Sequence, residues 1–226
     1  MDESDLIVAA RGGDRKAFND LVLHYQALAY NVAYRIVGDP DAAADATQDA
    51  FISAYQGLAG FRGGSFKAWL LRIVTNACYD QLRARKRHPT ASLDALPFTD
   101  AFENTLHGQR DDQPEEYVER DALSQLIQHG LKALPPDQRA VIVLADIQEV
   151  RYNEIAEILH ISLGTVKSRL NRGRRKLRDF LQAHVELLPA RYRLDSEGGG
   201  VAGIAHLFVA WAADELVTRL LGGRAR

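Results

Sequence analysis

The chain has 226 residues, enough for one large domain or two small ones, and with 46% apolar and 26% charged side chains it can bury a core. A single cysteine, Cys78, excludes an internal disulfide framework and any cysteine-based zinc site, and its apolar neighbours suit a buried thiol. No run of about eighteen uncharged apolar residues occurs, and the opening MDESDLIVAARGGD lacks the basic start and apolar centre of a signal peptide, so a cytoplasmic location is expected.

The net charge of -2 hides a strong partition. Residues 1–51 carry nine acids against four bases, and apolar residues at three-and-four spacing predict helices over 6–10, 17–37 and 42–58. Gly12-Gly13 and the GDPD of 38–41 interrupt them where turns are needed. Residues 62–88 carry seven bases against Asp80 alone, on a long predicted helix over 66–85 with Trp69, Leu70, Ile73, Ala77 and Leu82 along one face. From 89 to 121 periodicity is lost and nine acids face only Arg110 and Arg120, which reads as an acidic flexible linker. Helical pattern returns over 122–134, stops at Pro135-Pro136, resumes from Asp137 to Asp146, and continues as two short helices. A second joint, LDSEGGG at 194–200, precedes the apolar tail VAGIAHLFVAWAADELVTRLL. His206, Asp214, Glu215 and Arg219 argue against that tail spanning a bilayer; a helix docked on the body or on a partner is expected, with membrane-peripheral contact or an unordered extension as alternatives.

No strand, repeat or low-complexity tract emerges. The expected architecture is all-α: two small helical modules joined by an acidic linker, the second a helix-turn-helix, with a C-terminal helical tail.

The helix-turn-helix rests on RYNEIAEILHIS. Asn153 is a candidate cap for a helix with Ile155, Ala156 and Leu159 on its inner face, His160-Ile161 make a tight turn, and Ser162 can cap the next helix. That next helix begins GTVKSRLNRGRRKLR, which holds seven of the chain's 28 basic residues and no acid. At about 100° per residue, Val166, Leu170, Gly173 and Leu177 form one narrow apolar stripe and every cation lies off it. A solvated face normally mixes signs, whereas unrelieved like charge at i,i+4 is destabilising until a polyanion relieves it. A short helix, a tight turn and a cationic second helix fit the DNA major groove.

The first module carries different chemistry. Asp45, Gln48, Asp49 and Ile52 share one helical face, a polar patch suited to binding a protein. Phe61, Phe66, Trp69 and Tyr79 alternate with Arg62, Lys67, Arg72 and Arg83, a mixture suited to stacking unpaired bases beside a phosphate track, although Phe66 and Trp69 also suit a core.

In this order, DATQDAF, then FRGGSFKAWLLRIVTNACYDQLRARKR, then LKALPPDQRAVIVLADIQEVRYNEIAEILHISLGTVKSRLNRGRRKLR, the chain closely resembles bacterial sigma factors of the extracytoplasmic-function (ECF) group of the sigma-70 family, over about residues 3–183. The resemblance implies a sigma region 2 module at 1–88, the linker at 89–121, a region 4 module at 122–184 and an extension of unassigned role at 185–226. It places Asp45, Gln48, Asp49, Phe51 and Ile52 where the family grips the β′ clamp of core RNA polymerase, whose β subunit is a further implied contact. Phe61, Arg62 and the Gly63-Gly64 loop, with Asn76, fall where the family captures a base flipped from the -10 element; Arg83, Arg85, Lys86 and Arg87 match its basic track. Lys167, Ser168, Arg169, Asn171, Arg172, Arg175 and Arg178 fall on the helix that reads the -35 element. The family often has Arg at the position of Lys167, and Lys lacks the bidentate fork. An anti-sigma factor is a further implied partner; no enzyme activity, cofactor, metal or small-molecule substrate is.

Two other classes compete. A free-standing helix-turn-helix regulator would need no acidic clamp-gripping helix beside basic aromatics, and a pure interaction protein would need no clean cationic helix. A nuclease would need a compact carboxylate or histidine cluster, and the sequence offers none.

Overall fold

The computed structural model describes residues 2–87 and 115–187, with side chains in the second span from 122 onward. Most of the predicted linker and the tail beyond 187 lie outside the described residues. The described chain is helical, with no strand. It divides into two compact units, Met1–Thr90 with Asn153–Ser162, and Ala91–Tyr152 with Leu163–Arg226.

The first unit is built on α1 (Glu3–Arg11), α2 (Arg15–Val37), α3 (Pro40–Gly57) and α4 (Phe66–Arg87), the last three packed on one another. Side-chain caps set the boundaries. Asp2 caps α1, Asp14 caps α2, and Asp39 caps α3 by accepting from the Ala42 amide at 2.9 Å, with Pro40 in the first turn. Gly38, at φ 80°, closes α2 through its N–H to the Tyr34 carbonyl at 2.8 Å, a left-handed residue that glycine adopts without strain. The buried face of α3 consists of Ala43, Ala46, Ala50 and Ala54, so its backbone can approach α2 and α4 closely. Leu21, Ile36, Phe66, Leu70 and Leu71 fill the space between. α1 is tied down where the Tyr25 hydroxyl donates to Glu3 Oε2 at 2.6 Å; burial and that carboxylate push the phenol above its ordinary range.

The second unit holds α5 (Glu115–Lys132), α6 (Pro136–Ile142), a π turn (Val143–Ile147) and α8 (Leu163–Ala183); α7 (Tyr152–Leu159) precedes α8 in the chain. α5 begins at Glu115, inside the stretch expected to be linker. Pro135-Pro136 stops α5 as expected, and Arg139 completes its end: the guanidinium is 6% exposed and donates to the Lys132 and Leu134 carbonyls at 2.7 and 3.0 Å. α8 approaches α5 and α6 at two glycines. A Cβ on Gly130 would stand 2.6 Å from Leu177 Cδ1, and one on Gly173 would stand 2.7 Å from Ile142 Cδ1.

Three local expectations are corrected. Asn153 lies inside α7, which starts at Tyr152, so it is not the cap. Ile158 rather than Leu159 is the second fully buried residue of α7. The second of the two "short" helices, α8, runs 21 residues, since its stripe continues through Leu181.

Candidate protein- and nucleic-acid-binding surfaces

On α3 the alanine stripe turns inward and thereby turns Asp45, Gln48, Asp49 and Ile52 outward; all four are exposed, and Phe51 is half-buried beside them. The expected patch is therefore assembled. It adjoins a groove of about 600 Å³ between α2 and α3, lined by Phe18, Val22, Gln48, Phe51, Ile52 and Tyr55. Tyr55 is 45% exposed and meets Phe18 edge-on at 4.9 Å. Neither residue stands out in the sequence, yet Tyr55 lies three positions after Ile52, on the same helical face.

Leading into α4, Gly63 and Gly64 both have positive φ, 94° and 89°, a reversal that residues with a Cβ enter only with strain. Ser65 then caps α4, its Oγ accepting from the Ala68 amide at 3.1 Å. Arg62 is exposed in this loop. The Phe61 ring, expected to be free for stacking, is 5% exposed and packs on Phe66 at 5.8 Å and Trp69 at 5.3 Å. An apolar ring between two others is better placed in their cluster than in water, so the ring's first effect is to anchor the loop.

Along α4 the core takes Leu70, Leu71, Val74, Thr75 and Cys78, which leaves Arg72, Asn76, Arg83 and Arg87 exposed on one ridge. Burial pushes the Cys78 thiol up to about 12, so it is an inert core group. Lys86 extends the ridge. Arg83 pairs with exposed Asp80 one turn back, and Arg85 reaches Asp39 Oδ2 at 3.2 Å, so one aspartate both caps α3 and holds the end of α4.

On α8 the buried residues are Val166, Leu170, Gly173, Leu177 and Leu181, the expected stripe carried one turn further. Lys167, Ser168, Asn171, Arg172, Arg175 and Lys176 are exposed. Arg172 lies back along its own helix, its Nε donating to the Ser168 carbonyl at 3.2 Å and its Nη2 to Ser168 Oγ at 3.3 Å; Arg175 is 3.5 Å from Asn171 Oδ1. Arg178 bonds to Asp179 at 2.9 Å. The two cations nearest the stripe turn inward instead. Arg169 pairs with Asp137 at 3.1 Å, and Arg174 grips Asp146 through two nitrogens, Nε to Oδ2 at 2.9 Å and Nη2 to Oδ1. The turn before α8 passes through His160 at φ 52°, with the Ile161 amide bonded to the Ala156 carbonyl at 3.0 Å.

Among the described residues no helix is long and apolar enough to cross a membrane. A helical bundle with an acidic face and a basic aromatic edge, followed by a helix-turn-helix with a cationic second helix, defines a two-module nucleic-acid-binding protein with a protein-docking surface. Sequence comparison makes this specific. The sigma-70 region 2 family model matches residues 21–88 and the sigma-70 region 4 model residues 124–177. The chain is 40% identical over 181 residues to the ECF RNA polymerase sigma factor SigW of Bacillus subtilis, covering 78% of this chain and 95% of that one. It is 36% identical over 179 residues to the ECF sigma-E factor of Escherichia coli, covering 78% and 93%. With the ECF sigma factor SigE of Mycolicibacterium smegmatis it shares 37% over 175 residues, 76% of this chain but 65% of that longer one. Among solved structures it is similar to CnrH, determined with the cytosolic domain of CnrY (TM-score 0.56, 26% identity, 79% and 96% covered). It is equally similar to the sigma factor RpoE of Bartonella quintana, determined with the anti-sigma factor NepR (TM-score 0.56, 26% identity, 74% and 98% covered).

The chain belongs to the ECF group of the sigma-70 family. It is a sigma factor, a non-enzymatic subunit that recognises promoters and supports transcription initiation by RNA polymerase, and not a free-standing regulator.

Proposed function

We propose the following division of that activity among residues. Asp45, Gln48, Asp49, Phe51 and Ile52 grip the β′ clamp of core polymerase, with Tyr55 extending the contact into the α2–α3 groove. Arg62 and Asn76 read the -10 element, Phe61 holds the loop of Arg62 in shape, and Arg83, Arg85, Lys86 and Arg87 follow the phosphates. Lys167, Ser168, Asn171, Arg172, Arg175 and Arg178 read the -35 element, with Arg169 at the edge of that face. Separating the strands needs no catalytic group, because preferential binding of the open form supplies the work. The observation that carries the reading is the α4 ridge, where one exposed amide, Asn76, sits in a row of exposed cations on the helix that follows a double-glycine reversal.

In this reading the protein acts in the cytoplasm and is held in check by an anti-sigma factor. Support comes from the two similar structures, in which CnrH is bound to CnrY and RpoE to NepR. The test is run-off transcription by purified core polymerase on a genomic fragment library, with and without this chain. Start sites that depend on the chain, sharing two spaced elements, are expected; core polymerase unaffected by the chain would overturn the proposal.

A further inference from the structure

The cations of α8 are not equivalent. Measured round the helix from Val166 at about 100° per residue, Ser168, Asn171, Arg172 and Arg175 point away from the apolar stripe. Arg174 falls beside the stripe on one edge and Arg169 beside it on the other. Arg174 alone among the α8 cations meets a carboxylate withdrawn from solvent: the Asp146 side chain is 3% exposed and that of Arg174 18%.

Asp146 reaches that position because the chain leaves α6 through a π turn. The Gln148 amide bonds five residues back to the Val143 carbonyl at 3.0 Å, and Glu149 at φ 53° then reverses the backbone. A π turn rotates the residues that follow it off the regular helical face. Here that turn presents a buried carboxylate to α8. The paired geometry, Nε to Oδ2 and Nη2 to Oδ1, fixes the guanidinium plane in a way a single contact would not. Hydrogen bonding to Asp146 favours the charged guanidinium against the opposing effect of burial, with a further contribution from Tyr152.

We propose that Arg174 is a positioning residue: its fork on Asp146 sets the roll of α8 about its own axis, and so aims Lys167, Asn171 and Arg172 at base edges, without itself touching DNA. The apolar stripe alone tolerates some roll, because Val166, Leu170 and Leu177 can repack; a planar two-point ion pair at the edge does not. The proposal rests on the reading of α8 as the -35 helix.

The test uses holoenzyme assembled from core polymerase and the full chain, on a promoter fragment selected with the wild-type protein and on the same fragment with its -35 element scrambled. Arg174→Gln combined with Asp146→Asn removes both charges together and leaves no orphaned ion. It should lower the preference for the selected over the scrambled fragment by about fivefold or more, the range of one mis-aimed base contact. Loss of folded protein alone would weaken binding to both fragments equally and leave that ratio unchanged. The slope of log affinity against log salt should stay at the wild-type value, whereas Arg178→Gln, at the far end of α8 where a phosphate contact is expected, should reduce it by about 0.9. The exchanged pair Arg174→Asp with Asp146→Arg should restore most of the preference. An unchanged preference in the neutral pair, or a salt slope reduced by a full contact, would overturn the proposal. If the wild-type holoenzyme selects no promoter, the DNA-reading role of α8 fails instead. The ion pair is then judged by melting alone: each single variant should lose on the order of 10 °C, the exchanged pair should regain it, and a pair without that coupling would overturn the proposal.

Discussion

A side chain's charge is legible in sequence, while its neighbours are not. Asp49 was legible as part of an exposed patch because helical spacings of four and three residues bring it beside Asp45 and Ile52, and all three are exposed. Asp49→Lys should leave α3 folded, since the residue is exposed, but weaken binding to core polymerase through a like charge at the interface, which costs several kcal/mol. Unchanged affinity for core polymerase in a pull-down or fluorescence titration would remove Asp49 from the contact. Lys167 and Arg172 are exposed in the same sense, and each truncation to alanine should cost about 1–3 kcal/mol of promoter binding where a base is read. Full promoter activity in the double variant would count against α8. Where neighbours decide, sequence reasoning fell short. Phe61 was expected outside and is inside, because an aromatic beside a basic residue suits both a stacking platform and a core, and only Phe66 and Trp69 in three dimensions choose between them. Arg139 carried no signal at all, since nothing in LPPDQR says that its guanidinium will finish the preceding helix.

At the scale of elements, periodicity read the faces well and the ends poorly. The α8 stripe held from Val166 to Leu177 because it depends only on the helical repeat. The start of α5 and the cap of α7 depended on backbone hydrogen bonds, which apolar spacing does not report. Glycine is the instructive case. By helix propensity alone Gly130→Ala should gain about 1 kcal/mol. The structure reverses that expectation, because the new methyl would lie 2.6 Å from Leu177 Cδ1 and 2.9 Å from Phe180 Cδ1, and Leu177 is fully buried. Overpacking of this kind costs about 1–3 kcal/mol, so the variant should melt a few degrees below wild type. A higher melting temperature would show that α8 can move off α5, and that the close approach is not what glycine is for.

For the molecule as a whole, charge is segregated by surface, with acids on the outer face of α3 and bases on the ridge of α4 and on α8. This partition was legible in sequence because it runs in blocks. It does not by itself distinguish a protein that binds duplex DNA from one that opens it; in the proposed reading that distinction falls on Asn76, whose amide can offer both a donor and an acceptor to the Watson–Crick edge of an extruded base. Its exposure on α4, midway along the cationic ridge, leaves it accessible to such a base. Asn76→Ala removes no buried contact, so folding, core binding and -35 binding should be unaffected. Open-complex formation should fall by a factor corresponding to about 1–3 kcal/mol, visible as lost permanganate reactivity of unpaired thymines near the start site. A template mismatched over the -10 region removes the work of unpairing but not the need to recognise the base, so it should restore little in Asn76→Ala. The same template should restore much more in a variant of Arg83 and Arg87, whose proposed contribution is attraction to the phosphates of the separated strand. Duplex promoters opened at the wild-type rate by Asn76→Ala would place base capture elsewhere in the first module, and full recovery on the mismatched template would make Asn76 a contributor to unpairing and not to recognition.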